Sequence, residues 1–180
     1  MISFKSKITK KVLDYFFLNR EAEHYINELA KLLDLDPKNL HSKLEELEKE
    51  GLFKSEFRGK ERYFSLAQNF PLLDHYRQIF LKTFGLEHGL RELIKKIPGV
   101  KKAYIFGSYA SDKMDSSSDI DILVVGGHSI LALQKEINKL QKTTGREFNV
   151  INMDEREFKE KKKTDQFMKN IFNEKIVELL

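Results

Sequence analysis

Cysteine and tryptophan are both missing from this 180-residue chain, and proline occurs only three times. Without cysteine there is no disulfide scaffold, no thiolate zinc site and no cysteine nucleophile, and the composition fits a reducing, cytoplasmic setting. Long apolar runs are also lacking. Near the middle of the chain the longest stretch free of Asp, Glu, Lys and Arg, from Ile122 to Gln134, covers 13 residues, whereas a membrane span needs roughly 18. Lys5, Lys7, Lys10, Lys11, Asp14 and Arg20 interrupt the opening segment, so neither a secretory signal nor a membrane partner is expected. An excess of one charge sign is scarcely there: 32 Lys plus Arg against 28 Asp plus Glu leave +4, too little to demand a polyanionic partner and enough for a local basic patch.

What is present is a globular composition, 41% hydrophobic and 33% charged, sized for one domain or two small ones. Apolar residues recur at helical spacing from Ile8 to Phe17, from Ile26 to Leu33, and after Pro37 at Leu40, Leu44 and Leu47. Gly51 ends the third helix. Leu52 to Leu66 then alternates apolar and polar residues around Gly59, the pattern of a β-hairpin. Helical spacing resumes from Pro71 to Ile97, predicting a long connecting helix with Gly85 and Gly89 as candidate kinks, until Pro98 and Gly99 stop it.

Beyond that point the period changes. Val100 to Phe106, Ile120 to Val125 and Phe148 to Ile151 read as buried strands, and Ile176 to Leu179 as a last short one. Helices are expected from Ile130 to Gln141, capped by Ser129, from Glu155 to Lys163 and from Asp165 to Phe172. The fold class expected is mixed α+β and α/β, with a small mixed sheet flanked by helices in the C-terminal half. The expected organisation is 1–68, a connecting helix over 69–97, and a second domain over 98–180.

The order helix, helix, turn, helix, hairpin over residues 6–67 resembles a winged helix-turn-helix. The resemblance implies that Lys38, Asn39, His41, Ser42 and Lys43 occupy the exposed early face of a DNA recognition helix. Arg58, Lys60 and Arg62 would sit on a wing that contacts phosphates of double-stranded DNA. Glu45, Glu46, Glu48 and Glu50 crowd the later turns of the same helix and would repel phosphate, so a protein-interaction module is the competing reading.

The stretch from Tyr104 to Val125 carries the most chemistry. A strand leads into Gly107 and Ser108, and Asp119 and Asp121 follow in a second strand, where alternation puts both carboxylates on one face. Like charges so close call for a cation, and Mg²⁺ (or Mn²⁺) favours oxygen ligands together with phosphates. Gly107 allows close approach of a phosphate to the backbone, and Ser108 can donate to it. Gly-Ser, a ten-residue spacer from Tyr109 to Ser118, then Asp-x-Asp resembles the nucleotidyltransferase superfamily of DNA polymerase beta in its minimal form. The resemblance implies a nucleoside triphosphate held by Gly107 and Ser108, metal ions held by Asp119 and Asp121, and transfer of a nucleoside monophosphate to an acceptor hydroxyl.

That family also uses a third carboxylate from a later strand. Here Asn149, flanked by Phe148 and Val150, stands at the matching position, and an amide cannot serve as a carboxylate base. Glu147, two residues earlier on the same face, is the alternative should the register differ. Three functions stay open: nucleotidyl transfer, a catalytically inactive nucleotide-sensing transcriptional regulator, and an antitoxin-like partner protein. The five histidines show no metal-binding spacing, Lys161 to Lys163 read as a solvated helix face, and Tyr109 is weighed between stacking on a base and packing. A homodimer through the connecting helix is a candidate assembly.

Overall fold

The computed structural model describes residues 2–115 and 117–180, which divide into two compact units, 1–88 and 89–180. The first is helical with a small sheet. Helix α1 (Lys7–Leu18) starts where the Ser6 hydroxyl accepts the Thr9 N–H, and it buries Val12, Leu13, Phe16 and Phe17 completely. Helix α2 (Ile26–Leu33) ends at Asp34 in the left-handed conformation, and the Lys11 ammonium donates to the Leu33 carbonyl at 2.7 Å, a cation placed at the negative end of the helix dipole. Helix α3 (Pro37–Lys49) begins with Pro37 in its first turn and the Asp36 carboxylate accepting the Asn39 N–H at 2.9 Å. Leu40, Leu44 and Leu47 form its buried stripe, each contributing about 1.5–3 kcal/mol by leaving water.

Strands β2 (Phe53–Arg58) and β3 (Glu61–Leu66) form the expected hairpin, with Arg58 opposite Glu61 and Gly59 in the two-residue turn at φ +65°. A two-residue strand β1 (His24–Tyr25) pairs with β3, giving the order β1-β3-β2.

The expected single connecting helix is two helices, α4 (Leu73–Thr83) and α5 (Leu86–Lys95). The apolar period runs through the break, but the backbone does not. Asp14 on α1 explains it: its carboxylate accepts the Leu86 N–H, and a Cβ on Gly85 would lie 2.8 Å from Asp14 Oδ1 and 3.0 Å from Leu81 Cα. Only a glycine lets α1 approach the turn so closely. Arg77 on α4, itself buried, donates from Nε to the Phe17 carbonyl at 2.9 Å.

In the second unit, strands β4 (Val100–Phe106), β5 (Ile120–Gly126), β6 (Phe148–Met153) and β7 (Val177–Glu178) form a sheet of order β6-β5-β4-β7. The pairs β4–β5 and β4–β7 are antiparallel, and β5–β6 is parallel. A parallel pair needs a crossover, supplied by α7 (Ile130–Thr144), which the Ser129 hydroxyl caps at Ala132 N–H and which Gly145 ends in the left-handed region. Strand β5 is buried along nearly its whole length, as a central strand covered on both faces should be.

Helices α8 (Glu155–Thr164) and α9 (Gln166–Asn173) are capped by the Asp154 and Asp165 side chains. They close one core over the sheet, in which Tyr104, Phe106, Leu123 and Val125 meet Phe158, Met168 and Ile171. Because strand side chains alternate, Asp121 belongs to the same face as Leu123 and Val125, at its polar end. Among the described residues no helix is long and apolar enough to cross a membrane.

Candidate functional site

Three elements converge where β4 ends. The chain leaves β4 at Phe106, paired with Asp121, and enters a single helical turn α6 (Gly107–Ala110) through Gly107 at φ +70°. A Cβ on Gly107 would stand 2.4 Å from Asp121 Oδ2. The left-handed conformation favours glycine, and any Cβ here would have to push the Asp121 carboxylate aside. The Ser111 hydroxyl donates to the Gly107 carbonyl at 2.9 Å and pins the turn.

Asp119 comes immediately before β5 rather than within it. The loop leading there is tied by the Asp115 carboxylate, which accepts the Ser117 N–H and the Ser117 and Ser118 hydroxyls, each at 2.9 Å, bonds that lower its pKa. Arg146, nearly buried and two residues before β6, donates to the Ser118 carbonyl at 3.1 Å. The sequence gives no hint of this anchor, since its partners lie 28 positions apart.

The β5–β6 register sets Asn149 opposite Asp121. Its Nδ2 donates to Asp119 Oδ2 at 3.1 Å and to Asp121 Oδ1 at 3.3 Å, so the structure brings the residue at the expected third-carboxylate position against the two aspartates. Glu147 precedes β6 and is exposed. Burial raises the Asp121 pKa above the ordinary carboxylate range; the Asn149 bond opposes this and the Asp119 charge adds to it. Gly107, Asp121 and Asn149 open on a cleft of about 500 Å³, walled by Phe106, Ile151, Phe167 and Ile171 and bordered by Asn170 and Glu174. Tyr109 is buried, with 7% of its surface exposed, and serves packing rather than stacking.

The two carboxylates offer oxygen ligands suited to a hard divalent ion, while the Asn149 amide faces them with its NH₂. Among the described residues no three His, Asp or Glu side chains gather as a metal cluster, in keeping with the amide at 149.

The residues assigned to a DNA face belong to the first unit. Lys38, Asn39 and Ser42 are exposed on α3, His41 stands 3.8 Å from Glu45, and Lys43 pairs with Glu46. The hairpin cations are engaged. Arg62 donates to Glu48 at 2.6 Å, Glu45 at 3.2 Å and Ser55 Oγ at 2.9 Å, and lies over the Phe64 ring. Arg58 meets Glu23 at 2.6 Å and also Glu56. Lys60 remains exposed in the turn.

The family model described as "Nucleotidyltransferase domain" matches residues 87–177. The chain belongs to that family. One curated relative, "Putative protein adenylyltransferase MJ0435" of Methanocaldococcus jannaschii, is 46% identical over 55 residues, 29% of this chain and 59% of the relative, so the chain spans little more than half of that protein. Among solved structures, a toxin-antitoxin with AMP-PNP is 20% identical over 52% of this chain and 72% of its own, with a TM-score of 0.39. A tri-AMPylated HEPN toxin of Shewanella oneidensis in complex with MNT antitoxin gives 22% identity, 52% and 68% coverage and a TM-score of 0.33.

Proposed function

We propose that the second unit binds a nucleoside triphosphate with Mg²⁺ (or Mn²⁺) and transfers its nucleoside monophosphate to an acceptor hydroxyl. The observation that carries this reading is the pair Asp119 and Asp121, bridged by Asn149 and set against the left-handed Gly107. The donor set fits a divalent cation, which when bound supplies charge neutralisation for the phosphate oxygens. Gly107 offers bare backbone to the triphosphate, and Ser108 a hydroxyl donor. Asn149 orients the two carboxylates but has no basicity with which to take the acceptor's proton, so transfer is slow, and an acceptor that ionises readily is favoured.

The same amide favours a second reading, a nucleotide sensor without turnover. Incubation with labelled triphosphates, Mg²⁺ or Mn²⁺ and candidate hydroxyl acceptors separates the two. Transfer abolished by Asp119→Ala and by Asp121→Ala supports the enzyme; triphosphate binding with no transfer to any acceptor supports the sensor. Failure to bind any triphosphate overturns both. The curated adenylyltransferase relative points to adenosine triphosphate as the first donor to try and protein hydroxyls as the first acceptors. An antitoxin-like pairing with a partner protein follows the same test, the partner then being the acceptor.

For the first unit we propose a winged helix that meets double-stranded DNA through α3 and the β2–β3 hairpin. Its support is the order of three helices followed by a hairpin, with Lys38, Asn39 and Ser42 exposed on α3. A salt series of gel shifts tests it, and no retardation of duplex DNA at low salt leaves a protein-interaction module.

A further inference from the structure

Phosphate and metal chemistry leaves part of the cleft lining unused. Phe167, Asn170 and Glu174 follow one another at helical spacing along α9 and its C-cap and line the cleft, with Phe106 and Ile151 as apolar walls. Phe167 keeps 52% of its surface exposed although it meets Phe106 edge-on at 6.2 Å. A large ring left open at the border of an apolar cleft has surface to gain by stacking.

The polar groups say what kind of molecule would stack there. Glu174 repels phosphate, so the triphosphate belongs toward Gly107 and Ser108, and the Glu174 end takes an uncharged group that donates hydrogen bonds. Gln166 Nε2 donates to Asn170 Oδ1 at 3.0 Å, which fixes that amide and leaves its NH₂ as a donor. A carboxylate acceptor beside an amide donor, against aromatic and aliphatic walls, complements the edge and faces of a nucleobase.

We propose that Phe167, Asn170 and Glu174 form the base subsite of the triphosphate, with Phe167 stacking on the ring, the base edge donating to Glu174, and a ring nitrogen or carbonyl accepting from Asn170. Every base offers such a donor and acceptor pair, so the walls set the preference, for the larger face of a purine. The proposal rests on the nucleotide reading of the carboxylate pair.

The test is calorimetric titration of the full chain with Mg²⁺ and, in turn, ATP, GTP, CTP, UTP and inorganic tripolyphosphate. The expected result is tighter binding of the two purine nucleotides than of the pyrimidines or tripolyphosphate. Phe167→Ala should weaken ATP and GTP by on the order of fivefold to a hundredfold and leave tripolyphosphate unchanged. Phe167→Trp should retain purine binding, and Glu174→Gln should narrow the gap between ATP and tripolyphosphate. Equal affinity of the wild type for ATP and tripolyphosphate overturns the subsite and leaves the phosphate and metal reading standing. So does a Phe167→Ala variant that keeps full ATP affinity, including one that loses only transfer to an acceptor, since the cleft would then belong to the acceptor. Binding of none of the five compounds sinks the underlying reading and the subsite with it.

Discussion

Asp14 offers the sharpest test of the energetics. It is a buried carboxyl on α1 whose Oδ1 has no hydrogen-bond partner among the described residues, and whose only favourable contact, the Leu86 N–H, is outweighed by burial, so its pKa is pushed up to about 7 from 3.8. In the folded chain it therefore holds a proton roughly three pH units further than in the unfolded chain, which at about 1.4 kcal/mol per unit comes to about 4 kcal/mol. The sign follows from proton counting. Between pH 4 and pH 7 the native state carries the proton and the unfolded state has lost it, so Asp14 favours the fold at low pH and that contribution disappears as pH rises through 7.

Asp14→Asn removes the titration while keeping the size and an acceptor for Leu86, at a constant cost of about 1–3 kcal/mol for its buried NH₂. Urea unfolding followed by tyrosine fluorescence, at pH 4, 5.5, 7 and 8, should show the variant gaining about 4 kcal/mol on the wild type across that range. A wild-type-minus-variant difference that stays flat with pH refutes the argument that burial governs this carboxyl.

The site and the hairpin carry further expectations. Gly107→Ala should cost about 1–2 kcal/mol for the left-handed backbone alone and abolish triphosphate binding by pushing Asp121 aside, measurable by thermal unfolding and calorimetry. Asn149→Asp should tighten Mg²⁺ binding by on the order of tenfold through the added ligand charge and raise transfer above the wild-type rate; without metal it should raise the Asp121 pKa further, seen by carboxyl NMR. Because burial already raises that pKa, acidification should weaken Mg²⁺ uptake from a higher pH than an ordinary aspartate would give. Arg62→Ala should destabilise the first unit by about 1–3 kcal/mol, since Glu45 and Glu48 lose their shared cation, whereas Lys60→Ala should leave stability unchanged in a urea melt.

Period and spacing were enough to locate most of this molecule. The hairpin and the position of Asn149 follow from alternation, because a strand buried on one face has only one register that keeps its apolar side inside, and the strands near 100–106 and 120–125 from their run of β-branched and aromatic residues. Gly107 and the two aspartates stood out through the Gly-Ser and Asp-x-Asp spacing, although Asp119 lies just before the strand that was expected to hold it. Gly85 marked where the connecting helix breaks, but the cause was not legible, since it is a carboxylate 71 positions or more away on α1, while the local apolar pattern continues undisturbed. Strand β1 is two residues long and has no period to read. The pairing of Arg58 and Arg62 with carboxylates up to 35 positions distant is likewise a tertiary fact. So is the meeting of α9 with the site, for which the sequence supplied a helix and no role.

The clasp of Arg62 by Glu45 and Glu48 ties the hairpin to α3 by charge. A polyanion arriving at this surface finds that guanidinium taken and must displace two carboxylates to reach it, so the encounter is a swap of counter-charges rather than a fresh neutralisation. Ions released from the incoming chain are then partly taken up by the freed glutamates, so the net release is small.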